Sequence, residues 1–171
     1  DDDLEDGGTD TRGKAIKPDF SNWETLIETA DMLLTGLTHN SDNDHYDDGE
    51  TLKELYPHIP MHQVPGNCDR YRCPPWVHAR LCYDVCGVRL FMTHGHRHNV
   101  KYDTAWLLED ARSRQAAAAL YGHTHVADCR REEDGLWVLN PGSCGYGGGS
   151  AGILETENAV ITGCRILRAA D

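Results

Sequence analysis

Apolar and polar positions along this chain follow a helical rhythm in some stretches and a strand rhythm in others. Trp23, Leu26, Ile27 and Ala30 recur at helical spacing, which predicts a short helix over 20–30. Residues 30–37, Ala-Asp-Met-Leu-Leu-Thr-Gly-Leu, predict a buried strand, and a polar acidic loop is expected over 38–50. A helical turn is expected over 51–56, stopped by Pro57, then a short strand over 59–64. Beyond residue 80 the pattern sharpens. Residues 80–85 and 88–93 are β-rich runs around Cys86-Gly87, a hairpin signal. Residues 102–118 are helical in composition, with Trp106, Leu107, Leu108 and Ala111 on one face. A strand begins at 119–121, residues 126–131 and 136–140 flank Glu133-Asp134-Gly135 as a second hairpin, and 153–155 and 159–167 flank a third turn. Strand, helix and hairpin signals interleave without an internal repeat. The fold class is therefore α/β or α+β, in a single domain over residues 1–171.

Charge changes the reading of the first fifty residues. The chain holds 28 Asp+Glu against 16 Lys+Arg, a net of −12. Residues 1–10 carry six of the acids and residues 41–50 carry five, with no base in either stretch. The remaining 151 residues have 17 acids and 16 bases, a net of −1. Residues 1–13 read as an acidic, poorly ordered segment. Binding to nucleic acid draws mainly on Lys and Arg, so no extended nucleic-acid surface is expected. No apolar run approaches the roughly 20 residues that span a bilayer, so no membrane association is expected. No secretory-type leader is readable, and a cytoplasmic location is expected. The seven cysteines are odd in number, scattered, and form no C-x-x-C pair. They are expected as buried, reduced side chains and not as a disulfide framework.

The candidate chemistry lies where strands end. Gly66-Asn67-Cys68-Asp69, Thr93-His94-Gly95-His96 and Gly122-His123-Thr124-His125 each follow a predicted strand. In open α/β sheets the loops at the carboxyl ends of strands converge on ligands. Asn67, His94, His96, His123 and His125 would then share one rim. Imidazole is the commonest protein ligand for transition metals, and the Asn67 carbonyl oxygen suits a mixed nitrogen and oxygen site. One H-x-H pair is a weak signal. Two such pairs, each after a β-run and each beside a glycine, together with the Asn motif, point to divalent metal. His98 is expected on a solvated loop, and His39, His45, His58, His62 and His78 as structural or solvated. The glycine-rich 145–149 segment is not a phosphate loop, because no Lys-Ser/Thr follows it.

In this order the motifs resemble the calcineurin-like metallophosphoesterases, and most of all the small bacterial and archaeal phosphodiesterases. Asn140-Pro141-Gly142-Ser143 fits the last motif of that family, and the resemblance spans roughly residues 51–168. It implies a four-layer αββα sandwich of two mixed sheets with one or two divalent ions, Mn²⁺, Zn²⁺, Ni²⁺ or Fe²⁺, at the strand ends. Asn67, His94 and His123 match ligands of one ion and His125 matches a ligand of the other. Asp10 stands at the family's first aspartate. Arg12 replaces the next histidine and Leu37 replaces the bridging aspartate. Leu37 cannot bridge cations, and Arg12 has no accessible lone pair to offer one. Arg12 and His96 are instead candidates for phosphate contact. Cys68 holds the position of a leaving-group histidine in many relatives and is read here as a small buried side chain. The resemblance implies a metal-dependent phosphoesterase that hydrolyses a phosphodiester or related small phosphate by hydroxide attack on phosphorus. The alternative is a catalytically inactive protein of the same fold, acting as a binding or scaffold module, because Arg12 and Leu37 replace metal ligands.

Overall fold

A computed structural model of the chain describes residues 46–69, 73, 76–143 and 149–168. The helix and strand expected at 20–30 and 30–37, with Asp10, Arg12 and Leu37, lie outside the described residues. The first described element is helix α1, Tyr46–Leu55. It takes up the end of the acidic loop expected over 38–50. Carboxylates are favoured in the first turn of a helix, where they face the positive end of its dipole. Glu50 also accepts a charged hydrogen bond from Lys53 at 2.7 Å, one turn on. The helix stops before Pro57, as the sequence predicts. The strand expected over 59–64 does not form, and residues 60–66 have no regular structure. Pro60 lies within the expected run and Pro65 directly follows it, and each lacks the N–H that a sheet ladder needs.

The main sheet contains β1 (Arg80–Val85), β2 (Val88–Thr93), β3 (Ala118–Leu120), β4 (Asp128–Arg131) and β5 (Trp137–Asn140). Their spatial order is β1-β2-β3-β5-β4. The three central strands β2, β3 and β5 are parallel, and the outer strands pair antiparallel to their neighbours. The first hairpin turns on Cys86 at φ 49° and Gly87 at φ 78°. Two left-handed residues in succession match the twist of the flanking strands. Helix α2 (Ala105–Ser113) crosses from β2 to β3. It is shorter than the helix expected over 102–118, since Gln115 turns left-handed at φ 58° and Ala118 already belongs to β3. Trp106 is 57% exposed and not on the buried face, whereas Leu107, Leu108 and Ala111 are buried.

The period of two along β2 divides the core between the faces of the sheet. Phe91 joins Leu107, Leu108, Ala111 and Val138 under α2. Leu90 and Met92 point the other way and meet Leu139, Leu154 and Ile161. The last two come from a two-stranded hairpin, β6 (Ser150–Glu157) and β7 (Val160–Arg168), longer than the 153–155 and 159–167 runs expected. Each fully buried Leu or Phe contributes about 1.5–3 kcal/mol, so both faces stabilise the sheet. Gly152 lets the hairpin approach closely, since a Cβ there would stand 2.8 Å from Leu139 Cδ1.

The cysteine expectation is corrected here. Cys129 in β4 and Cys164 in β7 are joined by a disulfide, with their Cα atoms 6.3 Å apart. Cys129 lies on the sheet face that the hairpin covers and Cys164 lies on the hairpin, both packed against the same apolar cluster, which is what brings them together. Cys68, Cys82 and Cys86 are exposed and not buried.

Candidate metal centre

Strands β2 and β3 are adjacent and parallel, with Met92 level with Leu120. Their carboxyl ends therefore open on the same edge of the sheet. β2 ends at Thr93, so His94 is the first residue beyond it. The chain then turns at Gly95, φ 101°, into a single 3₁₀ turn, His96–His98. A Cβ at position 95 would stand 2.8 Å from Val100 Cγ2, so glycine is required by both backbone and space. After β3 the Gly122 N–H donates to the His94 carbonyl oxygen at 3.1 Å, stitching the two loops together. His123 follows with φ 69° and His125 with φ 60°. A left-handed residue other than glycine costs about 1–2 kcal/mol, although histidine tolerates it better than most. Two within three residues persist only where the surroundings hold them.

This backbone path brings three imidazoles together. The His94 ring centre lies 4.9 Å from that of His123 and 5.1 Å from that of His96. The His96 and His123 centres are 6.1 Å apart. His94 Nδ1 and His96 Nδ1 approach to 2.9 Å, so one ring donates its hydrogen to the other. All three residues are half-buried and within reach of solvent, as is His125 beyond the second left-handed residue. Asn67 is exposed on the segment before β1, and its amide nitrogen donates to Cys68 Sγ at 3.1 Å. Cys68 is exposed, which corrects its reading as a small buried side chain. The buried member of that motif is Asp69, whose carboxylate accepts the Gly66 N–H at 2.7 Å. Asp10 and Arg12 lie outside the described residues.

The donor set suits a divalent ion of borderline softness, with imidazoles supplying nitrogen and Asn67 a neutral oxygen. Among the described residues, no three His, Cys, Asp or Glu side chains stand closed around one point. The fit thus lies in donor chemistry and in the convergence of His94, His96 and His123.

Two neighbours of the site were not given a role by sequence reasoning. Asn140, at the end of β5, is fully buried beside the His123 loop. His98, expected on a solvated loop, is only 2% exposed. The 3₁₀ turn carries its N–H back to the Gly95 carbonyl at 2.9 Å and turns its ring inward. The ring packs edge-on against Phe91 and Trp106, and Nε2 bonds to Asp110 Oδ2 at 3.0 Å. Asp110 also accepts from Arg80 Nη1 and Arg114 Nε, each at 3.0 Å. Burial pushes the Asp110 carboxyl up, but hydrogen bonds from His98, Arg80 and Arg114 outweigh it and hold the group below its ordinary value.

The family model of the calcineurin-like phosphoesterase superfamily domain matches residues 20–159. No curated protein matches the chain. Among solved structures, the chain is similar to a conserved uncharacterized protein and predicted phosphoesterase from Streptococcus pneumoniae. The identity is 25% and the TM-score 0.53, over 63% of this chain and 62% of that one. The match thus spans less than two thirds of the pneumococcal chain. Vps29 from Entamoeba histolytica, complexed with Zn²⁺, shares the fold at 18% identity and TM-score 0.54, over 70% of this chain and 75% of that one. Vacuolar Protein Sorting 29 from Cryptosporidium parvum does so at 16% identity and TM-score 0.54, over 92% of each chain. Among the described residues, no helix is long and apolar enough to cross a membrane, which says nothing of a β-barrel.

Proposed function

This chain belongs to the calcineurin-like phosphoesterase superfamily, and from that premise we propose that it is a metal-dependent phosphoesterase acting on a phosphodiester or a related small phosphate. The observation that carries the reading is the convergence of the His94, His96 and His123 rings at the carboxyl ends of two adjacent parallel strands. In this reading His94 and His123 would hold a divalent ion through ring nitrogens, and Asn67 through its side-chain oxygen. His125 and Asp10 serve a second ion where one binds. The metal supplies Lewis acidity and a nucleophile available at neutral pH. His96 donates a ring N–H to a phosphoryl oxygen. Arg12, outside the described residues, would supply a guanidinium to the same phosphate in place of the histidine that the family resemblance implies there. The exposed Asn67 side and the half-buried histidines leave the site open to a small substrate.

The four-layer αββα sandwich belongs to the same proposal. It is supported by a mixed sheet that carries α2 on one face and the β6–β7 hairpin on the other. A cytoplasmic setting belongs to it too, and the Cys129–Cys164 bond weighs against that part, since disulfides persist mainly in oxidising compartments. The alternative is a catalytically silent binding or scaffold protein, and Leu37 and Arg12 favour it, because neither can ligate a cation.

Hydrolysis of bis-p-nitrophenyl phosphate with added Mn²⁺ separates the two. Turnover that falls by at least about 100-fold in His94→Ala supports the enzyme, since removing a ligand costs more than the ~10–100-fold of an outer partner. No turnover in the natural chain, with activity gained in Arg12→His plus Leu37→Asp, identifies a decayed site. No turnover in either leaves the scaffold reading.

A further inference from the structure

The Asn140 side chain is fully buried at the end of β5 and spans two loops. Its Nδ2 donates to the Gly122 carbonyl at 3.3 Å and to Thr124 Oγ1 at 2.9 Å. Its Oδ1 accepts the Gly142 N–H at 3.0 Å. Thr124 Oγ1 in turn accepts the Val126 N–H at 3.2 Å. Both partners of Nδ2 flank His123, and Thr124 sits between the two left-handed histidines. We propose that Asn140 is a positioning residue, its carboxamide clamping the Gly122 backbone on one side of His123 and the Thr124 side chain on the other, and so fixing where that imidazole stands against His94 and His96.

The argument turns on donor count. A carboxamide has two N–H donors and one carbonyl acceptor, and this site uses both kinds. Aspartate has the same shape without the donors. It would take from the Gly122 carbonyl and from Thr124 Oγ1 the hydrogen bonds that tie them to the end of β5, leaving the loop only its own bonds, Thr124 N–H to the Gly122 carbonyl at 2.8 Å and Val126 N–H to Thr124 Oγ1 at 3.2 Å. The same reasoning applies to the Thr124 hydroxyl, which valine would remove and serine would keep. Neither Asn140 nor Thr124 needs to touch substrate or ion for this role. The consequence for metal affinity rests on the phosphoesterase reading. The consequence for the His123 ring does not.

The test uses the full chain with Asn140→Asp, Thr124→Val and Thr124→Ser, and with Leu107→Ala as a variant destabilised in the core under α2. Two quantities are read: the imidazole NMR signals of His123 in metal-free protein, and affinity for Co²⁺ alone by visible absorption. Asn140→Asp and Thr124→Val are expected to shift the His123 ring signals and to weaken Co²⁺ binding by about 10–100-fold. Thr124→Ser restores both, and Leu107→Ala changes neither despite its lower stability. His123 signals and Co²⁺ affinity unchanged in folded Asn140→Asp overturn the proposal. If Asn140→Asp fails to fold, the Thr124→Val and Thr124→Ser pair decides in the same way. If the natural chain itself binds no Co²⁺, the metal reading fails, and the His123 ring signals alone decide the clamp.

Discussion

Asp110 faces three donors at once, His98 from the 3₁₀ turn, Arg80 from β1 and Arg114 just past α2. Its carboxyl lies below the ordinary value of 3.8 in the folded chain. A group depressed by folding contributes stability that is fully present above its unfolded pKa and is lost as pH falls through the folded one. The urea midpoint is therefore expected to hold from neutral pH to about 4 and to fall below that. In Asp110→Asn this part of the fall is expected to be absent, and Asp110→Ala should lower stability by about 1–3 kcal/mol. A natural chain and an Asp110→Asn variant with parallel acid limbs would refute the assignment. The sequence hid this cluster. His94, His96 and His98 stand two apart, as on one face of a strand, and His98 reads as a solvated loop residue that merely extends the His94–His96 pair. A 3₁₀ turn begins after His94, so the third histidine goes into the core while the first two stay at the rim. His94 and His123 were legible because they follow strands, and strand ends of parallel neighbours coincide. Asn140 was visible only as part of a motif, since its role depends on a loop 16 residues away in the chain.

At the scale of elements, legibility followed the regularity of the pattern. The β1–β2 hairpin was readable because alternation flanks a Cys-Gly turn, and its bounds agree with the sequence expectation. The strand expected over 59–64 does not form, since Pro60 within the run and Pro65 just after it each lack a ladder N–H. The β6–β7 hairpin proved longer than its apolar runs, since its polar positions also pair in the ladder. What holds that hairpin to the sheet is apolar contact through Leu139, Leu154 and Ile161, plus the covalent bond from Cys129 to Cys164. Nothing in the spacing of seven scattered cysteines selects this pair, because the two strands meet only in the tertiary fold. The bond closes a loop with a sequence separation of 35 residues. The chain-entropy model assigns such a cross-link about 3–4 kcal/mol. Reductant is therefore expected to lower the urea midpoint of the natural chain and to leave that of a Cys129→Ser, Cys164→Ser variant unchanged. Alkylation of the unreduced, denatured protein followed by mass spectrometry checks the bond directly. Label on both cysteines would show that the cross-link is not formed.

Charge, family match and metal ligands bear on one another only in the whole chain. The acidic excess sits in residues 1–10 and 41–50, and the rest is close to neutral. Those two stretches adjoin Arg12 and Leu37, the positions where the resemblance implies metal ligands that this sequence does not carry. The family match over residues 20–159 includes position 37 and leaves Arg12 outside it. In the proposed reading a site without a bridging carboxylate would not hold two cations side by side, while the histidine cluster at the β2 and β3 ends keeps its own donors. An arginine where the resemblance implies a histidine ligand would add a unit positive charge, which at about 4 Å and an effective dielectric of about 20 repels a dication by several kcal/mol. One tightly held ion per chain is therefore expected. Protein purified without chelator, equilibrated with Mn²⁺ and passed through a desalting column should retain one ion by elemental analysis. Arg12→His with Leu37→Asp should raise that to two, and His94→Ala should lower it towards none. Two retained ions in the natural chain would mean that another side chain bridges in place of Leu37. One ion in both the natural chain and the double variant would mean that the loss of the second position does not lie in Arg12 and Leu37.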